Sequence, residues 1–274
     1  MKTISLNSAK TLSGAFQDLN YEKLEIAVKL NQQPQKYEGD IDFMNLVPKP
    51  QLNNSTLSLN FSYAKSQTQL VVSLFGPTES RISSKQHPDR AFIELTIKDT
   101  TSKDSNMLAD QNSYEDLRST LRNLLEQVIQ LNAYPKSIIS FQVFVVKDET
   151  LGVQLFSACF NGLLSVVQQA GITLKNSPVV ALTIGIKEKE MGDNFQIEYM
   201  SDFSHEQVKA INAESSDIQI IDLMVQNKLD IGFMRTRGST LPMSLIIASQ
   251  ESKKEFEKII KAQSKLIRKQ FLNQ

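Results

Sequence analysis

From Leu57 onward the chain alternates apolar and polar positions, with Leu57, Leu59, Phe61 and Tyr63 on one side and polar residues between them. A period of two predicts a half-buried strand. Leu70–Phe75 is almost continuously apolar and reads as a more deeply buried partner, ended by Gly76 and Pro77. After a polar loop, Ala91–Ile97 reads as a third strand, and the three together predict an antiparallel meander. The period then changes. Ser113 opens a helix, with Asp116 three residues later approximating a capping box, and Leu117, Leu121, Leu124, Leu125, Val128 and Leu131 form one apolar stripe. Pro135 lies just past its end. Ile138–Val146 predicts a strand, and Ser157–Ala170 a mostly apolar helix stopped at Gly171. The stripes of these two helices assign Leu124, Val128, Phe160 and Leu164 to the core. Strands follow at Val179–Ile186, Gln196–Met200, Asp217–Val225 and Leu229–Met234. A last helix carries Phe256, Ile259, Ile260, Ile267 and Phe271 on one face and Lys253, Lys254, Lys258, Lys261, Lys265, Arg268 and Lys269 on the other. Helices that do not alternate one-for-one with strands define an α+β chain rather than a doubly wound α/β one.

Residues 1–50 carry a weaker pattern. Leu24, Ala27, Val28 and Leu30 have helical spacing, a polar stretch follows, and Pro48 and Pro50 bracket a turn. The segment reads as an N-terminal extension to a single domain over 51–274.

Composition narrows the chemistry. Thirty basic and thirty acidic residues cancel, so no overall field draws the chain to nucleic acid or membrane, and any nucleic-acid contact must come from a local patch or a larger assembly. The single cysteine, Cys159, excludes an internal disulfide framework and any multi-cysteine metal site. It sits among Phe156, Phe160 and Leu163 as a buried hydrophobe. The two histidines, His87 and His205, are far apart, which argues against a zinc centre; His87 reads as a loop residue. Apolar runs are far shorter than the ~20 residues of a membrane helix, and the first residues lack the apolar stretch of a secretory signal. A soluble intracellular chain without metal or cofactor is the expectation.

Three blocks in order carry a resemblance. Gly76-Pro77-Thr78-Glu79 at the end of a buried strand is followed by Pro88-Asp89-Arg90-Ala91 entering the next. Leu121-Arg122-Asn123-Leu124-Leu125-Glu126 leads to Tyr134-Pro135-Lys136-Ser137. Ser157-Ala158-Cys159-Phe160-Asn161 leads to Gln169-Ala170-Gly171-Ile172. Each block is weak alone, but their order and spacing resemble RNase PH-fold proteins from about Leu57 to Ile186. Within that family the chain looks like a ring subunit of the eukaryotic RNA exosome. The resemblance implies an RNase PH fold of the ribosomal S5 domain 2-like class. It further implies other RNase PH-like subunits as ring neighbours, S1/KH-domain cap proteins and RNA in a central channel as partners, a role in RNA processing and degradation including ribosomal RNA, and a place in the nucleus, nucleolus and cytoplasm.

The phosphorolytic devices of that family are not matched. Its Gly-Ser-Arg or Gly-Gly-Thr element falls here on Gln154, Leu155 and Phe156, and its arginine pair on Asn112 and Ser113. An apolar pair is a poor host for phosphate, which needs backbone N–H groups or arginine forks. The family's acidic pair, spaced by six, falls on Ile211 and Asp217, leaving Asp217 as a residual carboxylate with metal-assisted chemistry disfavoured. The expected function is therefore a non-catalytic ring subunit. The alternatives are an active phosphate-dependent 3′→5′ exoribonuclease and an unrelated α+β interaction domain. Candidate RNA contacts are Arg81 and Lys85, in the loop after Gly76-Pro77, and Arg235 and Arg237, in a basic turn Met234–Gly238. For each of these a solvated surface residue is the competing reading, and for Arg122 the choice lies between an anion ligand and a salt bridge.

Overall fold

A computed structural model of the chain describes residues 28–29, 44–48, 57–63, 68–79, 85–100, 114–175, 178–191, 194–200, 203, 208, 218–226, 230–237, 256–257 and 260–261. Ten strands are assigned in these residues: β1 Val28–Lys29, β2 Met44–Pro48, β3 Leu57–Tyr63, β4 Thr68–Glu79, β5 Phe92–Asp99, β6 Ser137–Asp148, β7 Val180–Met191, β8 Asn194–Met200, β9 Ile218–Gln226 and β10 Asp230–Arg237. Helix α1 spans Glu115–Val128 and α2 spans Leu155–Gln169. One sheet runs β2-β3-β4-β6-β5 and the other β1-β8-β7-β9-β10.

The alternation that marks β3 is what the first sheet uses. Leu59 and Phe61 are fully buried, and their partners Val72 and Leu70 on β4 complete the inner face. The expected meander stops at β4. β4 pairs antiparallel with β6, and β5 lies outside β6, parallel to it. The Ala91–Ile97 strand therefore does not neighbour the Leu70–Phe75 strand, because α1 carries the chain over the sheet between β5 and β6. A parallel pair requires such a crossover. Gly76 sits at a bulge between Phe75 and Thr78, at φ 100°. A Cβ there would lie 2.6 Å from the Ile138 carbonyl oxygen, so the close approach of β6 demands glycine.

α1 buries Leu117, Leu121, Leu124, Leu125 and Val128, the expected stripe. Its N-cap is Tyr114 with no side-chain cap bond, so the helix starts after Ser113, which lies outside the described residues. Glu115 and Asp116 fill the first turn, where negative charge is favourable. α2 buries its first thirteen residues all the way round, as a helix does when it is covered on every side. It packs against β3, β4 and β6 of one sheet and β7 and β9 of the other, and Phe160 and Leu164 are fully buried in that layer.

Two edges come from the segment read as an extension. Val28–Lys29, expected in a helical turn, is a strand paired parallel with β8, and Met44–Pro48 pairs antiparallel with β3. Backbone pairing at a sheet edge overrides a four-residue apolar spacing. Of the last helix, Phe256, Glu257, Ile260 and Lys261 are described and helical. Phe256 is buried and Ile260 packs against the core, while Lys261 pairs with Glu257. The remainder of its basic face lies outside the described residues.

Candidate functional site

A carboxylate stands in the middle of the most apolar strand of the second sheet. β9 buries Gln219 to Val225, and within that run Asp222 is fully buried. Its cross-strand neighbours are Thr183 on β7 and Arg235 on β10. Arg237, two residues further along β10, occupies the same face and reaches it diagonally. Arg235 donates to Asp222 Oδ2 from Nη2 at 3.0 Å and from Nε at 3.3 Å, and Arg237 Nη2 donates to Oδ1 at 3.1 Å. Thr183 Oγ1 donates to Oδ1 at 2.8 Å and stands 3.1 Å from Ser157 Oγ on α2. Both carboxylate oxygens are therefore occupied, and a buried charge is tolerated only with such pairing. The Arg235 guanidinium also lies over the Phe156 ring, 5.9 Å from its centroid.

Arg237 ties this cluster to the loop that precedes α2. Its Nη1 and Nη2 donate to the carbonyls of Gly152 and Val153, at 3.3 and 2.6 Å. The loop is fixed from its other end by Asp148. That carboxylate accepts from Thr150 N–H at 3.0 Å, Thr150 Oγ1 at 2.6 Å, Thr68 Oγ1 at 3.3 Å and Gly152 N–H at 2.8 Å. Beyond it Gln154, Leu155 and Phe156 are buried, and Phe156 stacks with Phe160 and tilts against Phe233. Where an anion cradle would be needed there is a filled aromatic core.

A shallow groove between β5 and α1 is lined by Lys85, Phe92, Glu94, Arg118, Arg122 and their neighbours. Each of its three cations has a local acid: Lys85 with Glu94 at 2.8 Å, Arg122 with Glu126 at 3.1 Å, and Arg118 with Glu115. Arg122 also sits over the Phe92 ring at 4.9 Å, and His87 stacks on that ring. The hydrogen bond from Lys85, with its charge, Ser140 and Arg122 behind it, holds the Glu94 carboxyl below the usual carboxylate range. Burial pushes the Cys159 thiol well above its ordinary value, which keeps it protonated and unreactive.

The structure separates the residues singled out from sequence. Arg235 and Arg237 lie inside β10 and bind Asp222, where a basic turn was expected, because the strand continues through Arg237. Lys85 lies in a different place, paired with Glu94 beside the first sheet. Arg81, Asp217, Ile211, Asn112 and Ser113 lie outside the described residues. Asp222 and Thr183 were missed, although a lone aspartate inside Ile218–Val225 was the available signal. Among the described residues, no group of three or more His, Cys, Asp or Glu could hold a metal ion, and no helix is long and apolar enough to cross a membrane.

Two five-stranded sheets enclosing a helix buried on every side, with a β-α-β crossover in the first, give the chain an RNase PH-like fold of the α+β class. That fold is similar to the one found in subunits of the exosome. In particular it superposes on rice (Oryza sativa) Rrp46 with a TM-score of 0.56 over 81% of this chain and 90% of that one, at 18% identity. An Archaeoglobus fulgidus exosome structure with RNA bound to the active site matches over 79% of this chain and 87% of that one. Its TM-score is 0.48 and its identity 13%. In sequence the chain is 30% identical over 127 residues to the exosome complex component ski6 of Schizosaccharomyces pombe, a match taking in 45% of this chain and 51% of ski6. The chain thus spans about half the length of that curated relative. No family model matches it.

Proposed function

We propose that this chain is a non-catalytic ring subunit of an RNA exosome, of the type called ribosomal RNA-processing protein forty-six. It completes a ring of RNase PH-like subunits beneath S1/KH-domain cap proteins and forms part of the wall of the RNA channel. Its place is the nucleus and nucleolus, and also the cytoplasm, and the nucleolytic chemistry belongs to another chain. The observation that carries this reading is the filled core at Gln154, Leu155 and Phe156, the positions where the resemblance puts the family's phosphate element. Beside it Asp222 accepts from Arg235, Arg237 and Thr183 through both oxygens, the pairing that a buried structural charge requires.

The test is phosphate-dependent shortening of a single-stranded RNA by the purified protein, followed as nucleoside diphosphate release with magnesium present. No release is expected from wild type. Release that requires phosphate and vanishes in Asp217→Ala would establish the enzyme instead. Co-purification from the source supplies the second half: a complex of several RNase PH-like chains is expected, and an isolated monomer would oppose the ring assignment.

A further inference from the structure

The groove between β5 and α1 runs along an open strand edge. Four consecutive residues of β5 line it, Phe92, Ile93, Glu94 and Leu95. Successive side chains of a strand point to opposite faces, so a groove touched by all four lies at the edge of the strand and not on one face. β5 is the last strand of its sheet, and its ladder shows which backbone groups meet the groove. Thr100 N–H donates to the Val145 carbonyl at 3.0 Å, and the register runs back from Asp99 to Phe92 without a shift. Bonds to β6 therefore come from the even-numbered residues, and Ile93 and Leu95 turn their N–H and C=O groups outward. Ala91, the preceding member of that outward set, donates its N–H to the Leu131 carbonyl at 3.1 Å. Among the described residues the outward groups of Ile93 and Leu95 have no partner.

A row of alternating donors and acceptors is a template for one more strand, and the far wall of the groove is shaped to receive one. Glu115, Arg118, Ser119, Arg122 and Asn123 of α1 line that wall, spaced as one helix face. Arg118 and Arg122, four residues apart, are separated by about 6 Å along the helix axis. Alternate side chains of an extended chain are about 6.6–6.8 Å apart, so the two guanidiniums match acidic side chains at positions i and i+2 of an added strand. Lys85 supplies a third cation, and the lining acids are Glu94 and Glu115, which leaves the groove with an excess of positive charge. The ion pairs that now hold these cations are partly exposed and weak enough to exchange. Phosphates would suit the arginines, but they only accept, and the Ile93 and Leu95 carbonyls need donors. A second extended backbone satisfies N–H and C=O in turn. We propose that this groove binds an extended acidic peptide segment of a partner protein, which adds to the first sheet as a strand beside β5. Such binding is a property of the single chain and does not depend on ring assembly.

The experiment reads the backbone and the charge separately. Random octapeptides displayed on phage are selected against the immobilised full-length chain, and the enriched sequence is synthesised with one backbone N-methyl group at each position in turn. Acidic residues at i and i+2 are expected in it. N-methylation should weaken binding about tenfold or more at every second position and little at those between, because alternate N–H groups of an added strand face the β5 edge. Arg118→Glu, on the exposed side of α1, should bind the same peptide about tenfold more weakly while keeping the wild-type thermal midpoint. Arg118→Gln takes its place if the midpoint falls, and the N-methyl series is read on wild type throughout. An even response along the peptide overturns strand addition. A period-two response with full affinity in the Arg118 variant overturns the site, by placing the strand on another edge. Absence of any enriched sequence overturns the proposal outright, and a uridine octanucleotide bound by wild type but not by Arg118→Glu would then give the groove to RNA.

Discussion

Asn161 closes both of its amide hydrogen bonds on one residue, Ala181. Its Nδ2 donates to the Ala181 carbonyl at 2.9 Å and its Oδ1 accepts from the Ala181 N–H at 3.0 Å. Ala181 belongs to the stretch of β7 that pairs with β9 but precedes the first β8 partner at Gly185. The side chain of a helix residue thus stands in for a neighbouring strand, satisfying backbone groups that burial would otherwise leave unpaired.

Asn161→Leu removes that replacement and strands two buried polar groups. A loss of roughly 2–6 kcal/mol is expected, from about 1–3 kcal/mol for each unsatisfied group. Denaturant titration measures it. A variant within about 0.5 kcal/mol of wild type, the error of such a titration, would show that water or β8 takes over the contact.

The Asp222 cluster predicts an asymmetry. Removing the carboxylate in Asp222→Ala leaves two guanidiniums that are each about one-third exposed and reach water. Removing both arginines leaves a buried carboxylate whose remaining side-chain donor among the described residues is Thr183. The double variant Arg235→Ala/Arg237→Ala should therefore lose about 3–5 kcal/mol, and Asp222→Ala distinctly less. Equal losses would mean that packing of the arginine stems, and not charge pairing, sets the cost.

Glu94 predicts an acid-side effect. Its carboxyl is held below the usual range by Lys85, so the pair's contribution is present above the unfolded-state value and fades as pH falls through the lowered folded-state value. Glu94→Gln should flatten the stability profile in that acid window and leave the neutral-to-alkaline shape unchanged. Melting curves across pH 2–8, a range of about six units that spans the carboxylate region, provide the check.

The same pair bears on RNA. If Lys85 meets phosphates in the assembled ring, Glu94 competes for it. Lys85→Ala should flatten the log K against log salt slope by about 0.7, and Glu94→Gln should steepen it by up to that amount. Identical slopes for wild type and both variants would put Lys85 on a surface that RNA does not touch.

The legible parts of this fold were those where one face is water and the other is core. β3 shows its alternation, α1 shows a stripe, and the unbroken apolar composition of α2 marks a helix with no solvent side. Pairing order was not legible, because β5 presents the same alternation whether β4 or β6 lies beside it. Val28–Lys29 and Met44–Pro48 were missed because their pairing uses backbone groups, which every residue carries. At the site, Arg235 and Arg237 were found as residues but placed in a turn, where the strand continues through them. Their partner was Asp222, recoverable only by folding β9 onto β10 in the register that sets Asp222 opposite Arg235.

The helix shared by the two sheets has a consequence for the chain as it is made. When α2 leaves the ribosome, β2 to β6 precede it, so its flank toward the first sheet can be covered at once. Phe156 waits for Phe233, Ser157 for Thr183, and Asn161 for Ala181. The last of these partners is synthesised more than sixty residues after the helix ends. At about 5–20 residues per second, that leaves an apolar flank uncovered for several seconds in every round of translation. A half-finished chain of this protein is therefore a natural client for a nascent-chain chaperone, and pauses in translation between α2 and β10 are where its yield is most exposed to aggregation.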